Sequence, residues 1–162
     1  RARATPGLLQ RTRVLVTLAA VVLVSGTAVT GSGPHGGDVA ADRLPFAVTS
    51  TARVHSVAVW LLLATVVVVL RQLHQGDAAP DVIGRGNQLA ALVVAQGTLG
   101  YVQYFTGVPE GLVALHVLGS VLVWIAALRL LLALAEPVPS PAHAAPADAS
   151  DERGARVAPA VP

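Results

Sequence analysis

Four runs of apolar residues, each about 20 residues long, dominate this chain, and that is the length a helix needs to cross ~30 Å of hydrocarbon. They fall at 14–30, 51–70, 87–106 and 109–135. The third is the least apolar, because it holds Gln96 and Gln103. A backbone in lipid must satisfy its own hydrogen bonds, so an isolated apolar 20-mer is expected to be a helix even where it is as β-branched as Val66-Val-Val-Val69. The sequence therefore predicts an all-α integral membrane protein, a four-helix transmembrane bundle lodged multi-pass in the cell membrane. Composition agrees: of 162 residues, 54% are hydrophobic and 12% are charged, whereas soluble domains carry about 25% charged residues.

Charge and punctuation supply the topology. All eleven basic residues are arginine. They are spread over the segment flanks, the outer loop and the tail and form no patch, which argues against nucleic acid as a partner. Arg1, Arg3, Arg11 and Arg13 precede the first segment, Arg71 and Arg85 lie between the second and third, and Arg129 lies near the end of the fourth. The opposite side carries Arg43 and Arg53 among Asp38, Asp42 and Glu110. Positive charge stays inside, so both termini are expected in the cytoplasm. Residues 1–13 read as a cytoplasmic flank and 14–135 as the membrane domain. The first segment is too long for a signal peptide and reads as a true membrane helix. Gly31-Ser-Gly-Pro-His-Gly-Gly37 opens an outer loop, Gly76-Asp-Ala-Ala-Pro80 an inner one, and Thr106-Gly-Val-Pro-Glu110 a tight turn. Residues 136–162, rich in Pro, Ala, Ser and Asp, are expected to form a disordered cytoplasmic tail. There is no cysteine, which excludes disulfides, thiolate metal sites and thiol redox chemistry.

Two histidines stand inside apolar segments, His55 in the second and His116 in the fourth. An ionisable group in hydrocarbon is costly and marks a functional site by default. His55 lies about four residues into its segment and His116 about seven, or roughly 6 and 10 Å at the helical rise. The two segments run in the same direction, so both imidazoles are expected at one level of the outer leaflet. Two imidazoles at matched depth in a bundle suggest axial ligation of a haem iron. The bland alternative is that each bridges two helices by a hydrogen bond. Zinc is disfavoured, since no third or fourth ligand stands at that level. Gly119 and Ser120 share a face with His116, with Ala58 in the equivalent place beside His55, and would leave room for a porphyrin. Arg53 is a candidate partner for haem propionates, or else an arginine snorkelling to the interface. Gln96, Gly97, Gly100 and Gln103 form a small and polar stripe that either packs helices or borders the cofactor. His35 and His74 read as loop residues, and His143 lies in the tail.

The stretch Ala95-Gln-Gly-Thr-Leu-Gly-Tyr-Val-Gln-Tyr-Phe-Thr-Gly-Val-Pro-Glu-Gly-Leu-Val-Ala-Leu-His-Val-Leu-Gly119 resembles the last helix pair of bacterial haem A synthases of the actinobacterial type. Val29-Thr-Gly-Ser-Gly-Pro-His-Gly-Gly-Asp38 and Arg53-Val-His-Ser56 resemble the loop and helix that precede that pair. The likeness runs from about Val14 to Ala135. It implies one half of an eight-helix enzyme built from two similar four-helix halves. In that family the C-terminal half holds an electron-transfer haem b. The N-terminal half holds the haem O substrate and a catalytic glutamate, and the C8 methyl of haem O is oxidised to the formyl of haem A. His55 and His116 match the two axial ligands of the C-terminal half. No glutamate lies in the interior of an apolar segment here; Glu110 and Glu136 stand at helix edges. The resemblance therefore implies part of a membrane oxidoreductase, with no catalytic residue in this chain and no activity from the chain alone. Its expected partners are the N-terminal half of a longer or split enzyme, haem O as substrate of the whole, haem O synthase and the lipid bilayer. Two readings compete with it: a stand-alone bis-histidine cytochrome b subunit, and a non-catalytic membrane scaffold.

Overall fold

A computed structural model describes residues 5–33, 42–76 and 78–135, all helix and short connections. Four helices follow one another: α1 (Pro6–Ser32), α2 (Val48–Gln75), α3 (Pro80–Phe105) and α4 (Glu110–Ala135). α1, α2 and α4 are long and apolar enough to cross a membrane. α3 falls short of that mark, as its Asn87, Gln88, Gln96 and Gln103 foreshadow. The anticipated tail at 136–162, with His143, lies outside the described residues, as does His35.

The helices outrun the apolar segments, because their ends are set by caps and not by hydropathy. α1 starts at Pro6 and not near Val14. Thr5 accepts a hydrogen bond from the Leu8 amide at 3.3 Å, and Pro6 sits in the first turn, where its missing N–H costs nothing. Much of the expected flank is thus helical. α2 runs to Gln75, and the Gly76 amide closes on the Gln72 carbonyl at 3.0 Å. α3 begins at Pro80. Arg71, His74 and Arg85, assigned above to a loop, therefore belong to helices. The turn into α4 has Gly107 and Val108 at φ 80° and 59°. A β-branched residue is rarely found there, and the Val108 amide donates to the Gln103 carbonyl at 2.7 Å.

α1 packs on α2 and α4, and α3 packs on the same two helices, while the backbones of α2 and α4 do not come close. The bundle is thus a ring of four with α2 and α4 on a diagonal. Its closed core occupies one end. Leu8, Thr12, Leu15 and Ala19 on α1 are buried there, with Leu62, Val66, Val69 and Leu73 on α2. Val82, Gly86, Leu89 and Val93 on α3 join them, with Gly119, Val123, Ala126, Ala127 and Leu130 on α4. The spacing alternates between four and three, the seam pattern of helices that interlock knob into hole. Gly86 lets α2 close in: a Cβ there would lie 2.9 Å from atoms of both Leu70 and Leu73.

Leu73 and Leu89 are fully buried. Truncating either to alanine will cost about 2–5 kcal/mol, mainly through the cavity left behind. Leu118 is 60% exposed, and the same change there will stay within about 0.5 kcal/mol. Equilibrium unfolding in a mild detergent, followed by circular dichroism, measures both.

Candidate functional site

Beyond the closed core the seam continues with different residues. One heptad before Leu62 stands His55, and one heptad before Val123 stands His116. One heptad after Ala19 stands Gly26. One heptad after Leu89 and Val93 stand Gln96 and Gly100, followed by Gln103. The inward positions that are Leu and Val at one end of the bundle are thus His, Gln and Gly at the other. His55, His116, Gly26, Gly100, Gln96 and Gln103 are only partly buried, so the packing between helices loosens where these groups face one another.

Each histidine is seated against a glycine of the neighbouring helix. A Cβ built on Gly26 would lie 3.2 Å from the His55 ring at Cε1. One built on Gly100 would lie 3.2 Å from the His116 ring at Cε1. The α1–α2 and α3–α4 pairs therefore repeat one device, glycine facing imidazole, and place the two rings on the diagonal helices.

The polar surroundings of the two rings differ. Ser25 Oγ lies 3.0 Å from His55 Nδ1 and donates to the Val22 carbonyl, also at 3.0 Å. Among the described residues, His116 Nδ1 is buried without a hydrogen-bond partner, as are Gln96 Oε1 and Gln103 Oε1, and Gln72 Oε1 at the core end. A buried polar atom without a partner costs about 1–3 kcal/mol, and three of these four lie on α3 and α4 at the histidine end. The small residues of α4 serve differently than expected. Gly119 is buried, and a Cβ there would collide with the Gln96 amide; the room beside His116 at that level is taken by Gln96. Ser120 donates its hydroxyl to the Val117 carbonyl at 2.7 Å. Ala58 is buried in α2.

Arg53 is exposed and stands two residues from His55, a spacing that puts side chains on different faces of a helix. His74 lies at the other end of the bundle, in the last turn of α2, with Nε2 3.2 Å from Asn87 Oδ1. Gly97, part of the same small stripe, has open space around its Cβ position. Among the described residues, no three His, Asp or Glu side chains come together as a metal-binding group. Two imidazoles brought from diagonal helices can instead hold a metal whose other positions are filled by the ligand that carries it. An iron porphyrin has that form; the two glycine-seated imidazoles are the feature compatible with one, while Gln96 occupies the space beside Gly119.

Sequence reasoning singled out His55, His116, Gln96, Gly100 and Gln103, and the structure brings these to one end of the interior. It missed Ser25 and Gly26. Their signal was a small pair, Ser-Gly, in the part of an otherwise bulky apolar helix that an antiparallel neighbour would set beside His55. Comparison with protein-family models, with curated proteins and with solved structures returns no match for this chain.

Proposed function

We propose that the chain is the haem-bearing, C-terminal type of half of a haem A synthase, inserted in the cell membrane with its termini in the cytoplasm. The observation that carries this reading is the pair His55 and His116: one imidazole on each diagonal helix, both on the inward seam, both at the end where the seam opens. Membrane insertion is supported by the three long apolar helices and by large apolar side chains on the outer surface such as Val24, Leu118 and Leu132. Orientation is supported by the arginines: Arg11, Arg13, Arg71, Arg85 and Arg129 gather at the core end, which the charge rule assigns to the cytoplasm.

In this reading His55 and His116 would hold haem b. Gly26 and Gly100 let α1 and α3 close against the rings so that neither imidazole can swing away. Apolar side chains of α2 and α4 around the two histidines would limit water at the site, which together with ligation is how a protein sets a haem potential. A bound haem b supplies one-electron transfer. The described part of the seam carries no carboxylate. The methyl oxidation of haem O thus falls to a partner half, and this chain passes electrons.

Reconstitution tests the reading. Membranes holding this chain together with a four-helix N-terminal half of a haem A synthase should convert haem O to haem A, followed by pigment extraction and chromatography. The N-terminal half alone, or with the H55A/H116A chain, should not convert it. Haem bound to the chain with haem A formation indifferent to it would mark a stand-alone cytochrome b subunit instead. Absence of bound haem would leave the scaffold reading.

A further inference from the structure

We infer that Ser25 is a positioning residue that fixes His55 as its Nδ1–H tautomer and so leaves the lone pair on Nε2. A serine hydroxyl has one proton and two lone pairs. Ser25 Oγ lies 3.0 Å from a carbonyl oxygen, that of Val22, which can only accept, and 3.0 Å from His55 Nδ1. With the hydroxyl proton directed at Val22, Oγ meets Nδ1 as an acceptor, and the ring proton must sit on Nδ1. Only that tautomer makes both 3.0 Å contacts of Oγ hydrogen bonds; the opposite arrangement, with Ser25 donating to Nδ1, would leave Oγ 3.0 Å from the Val22 carbonyl with no proton between the two oxygens.

His116 is seated on Gly100 as His55 is seated on Gly26, but the residue before Gly100 is Leu99 where the residue before Gly26 is Ser25. His116 Nδ1 accordingly has no partner. The two imidazoles are inequivalent: α1 presets His55, and among the described residues nothing presets His116. Histidines that bind metals through one nitrogen generally donate the other N–H to a fixed acceptor, which settles ring orientation and tautomer. That His55 is a ligand rests on the function proposed above; its tautomer does not.

The test begins without haem. The full chain, labelled with 15N at histidine and held in detergent at a pH where imidazole is neutral, gives each tautomer a distinct pair of ring nitrogen shifts. His55 should report a proton on Nδ1. Ser25→Ala should return it to the Nε2–H form that free histidine prefers in water. Ser25→Thr, which keeps the hydroxyl, should restore Nδ1–H. Unchanged helical circular dichroism and an unchanged His116 signal certify the fold. His55 protonated on Nε2 in the native chain, or the same tautomer with and without the hydroxyl, would overturn the inference. Titration with ferric haem b then separates the two claims. Ser25→Ala should bind about 10–100-fold more weakly than native chain, the usual cost of losing such a support, with Ser25→Thr near native. Equal affinities would overturn the positioning role, whereas an Nδ1–H His55 in a chain that takes up no haem would overturn the haem reading and leave the tautomer assignment standing.

Discussion

A chain with both His55 and His116 changed to alanine will remain a four-helix bundle and will take up no haem b. The two single variants will each keep one axial ligand and shift from a six-coordinate, low-spin optical spectrum to a five-coordinate, high-spin one. The fold should survive because both rings lie outside the closed core, which ends at Ala19, Leu62, Val93 and Val123. The effect on binding should be complete in the double variant, because among the described residues the seam offers no other imidazole at that level: Gln96 and Gln103 carry amides, and His74 stands at the opposite end against Asn87. Optical titration with haem b, alongside far-ultraviolet circular dichroism, reads both quantities. A double variant that binds haem as the native chain does would remove both histidines from the site.

The glycine seats should matter almost as much. Gly26→Val and Gly100→Val each place a branched side chain where even a Cβ would be 3.2 Å from an imidazole carbon. The ring must turn or the helices must part. Overpacking of this kind costs about 1–3 kcal/mol, which corresponds to about 5- to 150-fold in haem affinity if it is felt at the ligand. Gly97→Val is the control, since the space beside its Cβ is open, and it should bind within about twofold of native chain. If all three behave alike, the seats do not hold the rings.

Much of this was legible in the sequence, and the reasons are specific. The four helices are written as long apolar runs, since hydropathy decides what can be a helix of that length. Their ends were misjudged because Thr5, Pro6, Gly76 and Pro80 govern them through capping and backbone chemistry, which hydropathy does not see. His55 and His116 stood out as polar groups in apolar runs. That they share one interior was also readable, from the heptads linking His55 to Leu62 and His116 to Val123, once the seam is taken as the axis and not the apolar content. Ser25 and Gly26 were not visible as functional: serine and glycine are ordinary in apolar helices, and only their pairing across to α2 gives them a role. Gly119 looked like free space, whereas long Gln96 reaches over from α3 to cover it. What a side chain covers depends on its neighbour's length and direction, and a single helix does not disclose that.

One spectrum bears most directly on the central claim. The native chain, purified in detergent and titrated with ferric haem b, should saturate at one haem per chain and give the low-spin electron paramagnetic resonance signal of two axial imidazoles. Saturation without that signal, as high-spin iron with one protein ligand or none, would contradict the pairing of His55 with His116 on which the proposed function stands.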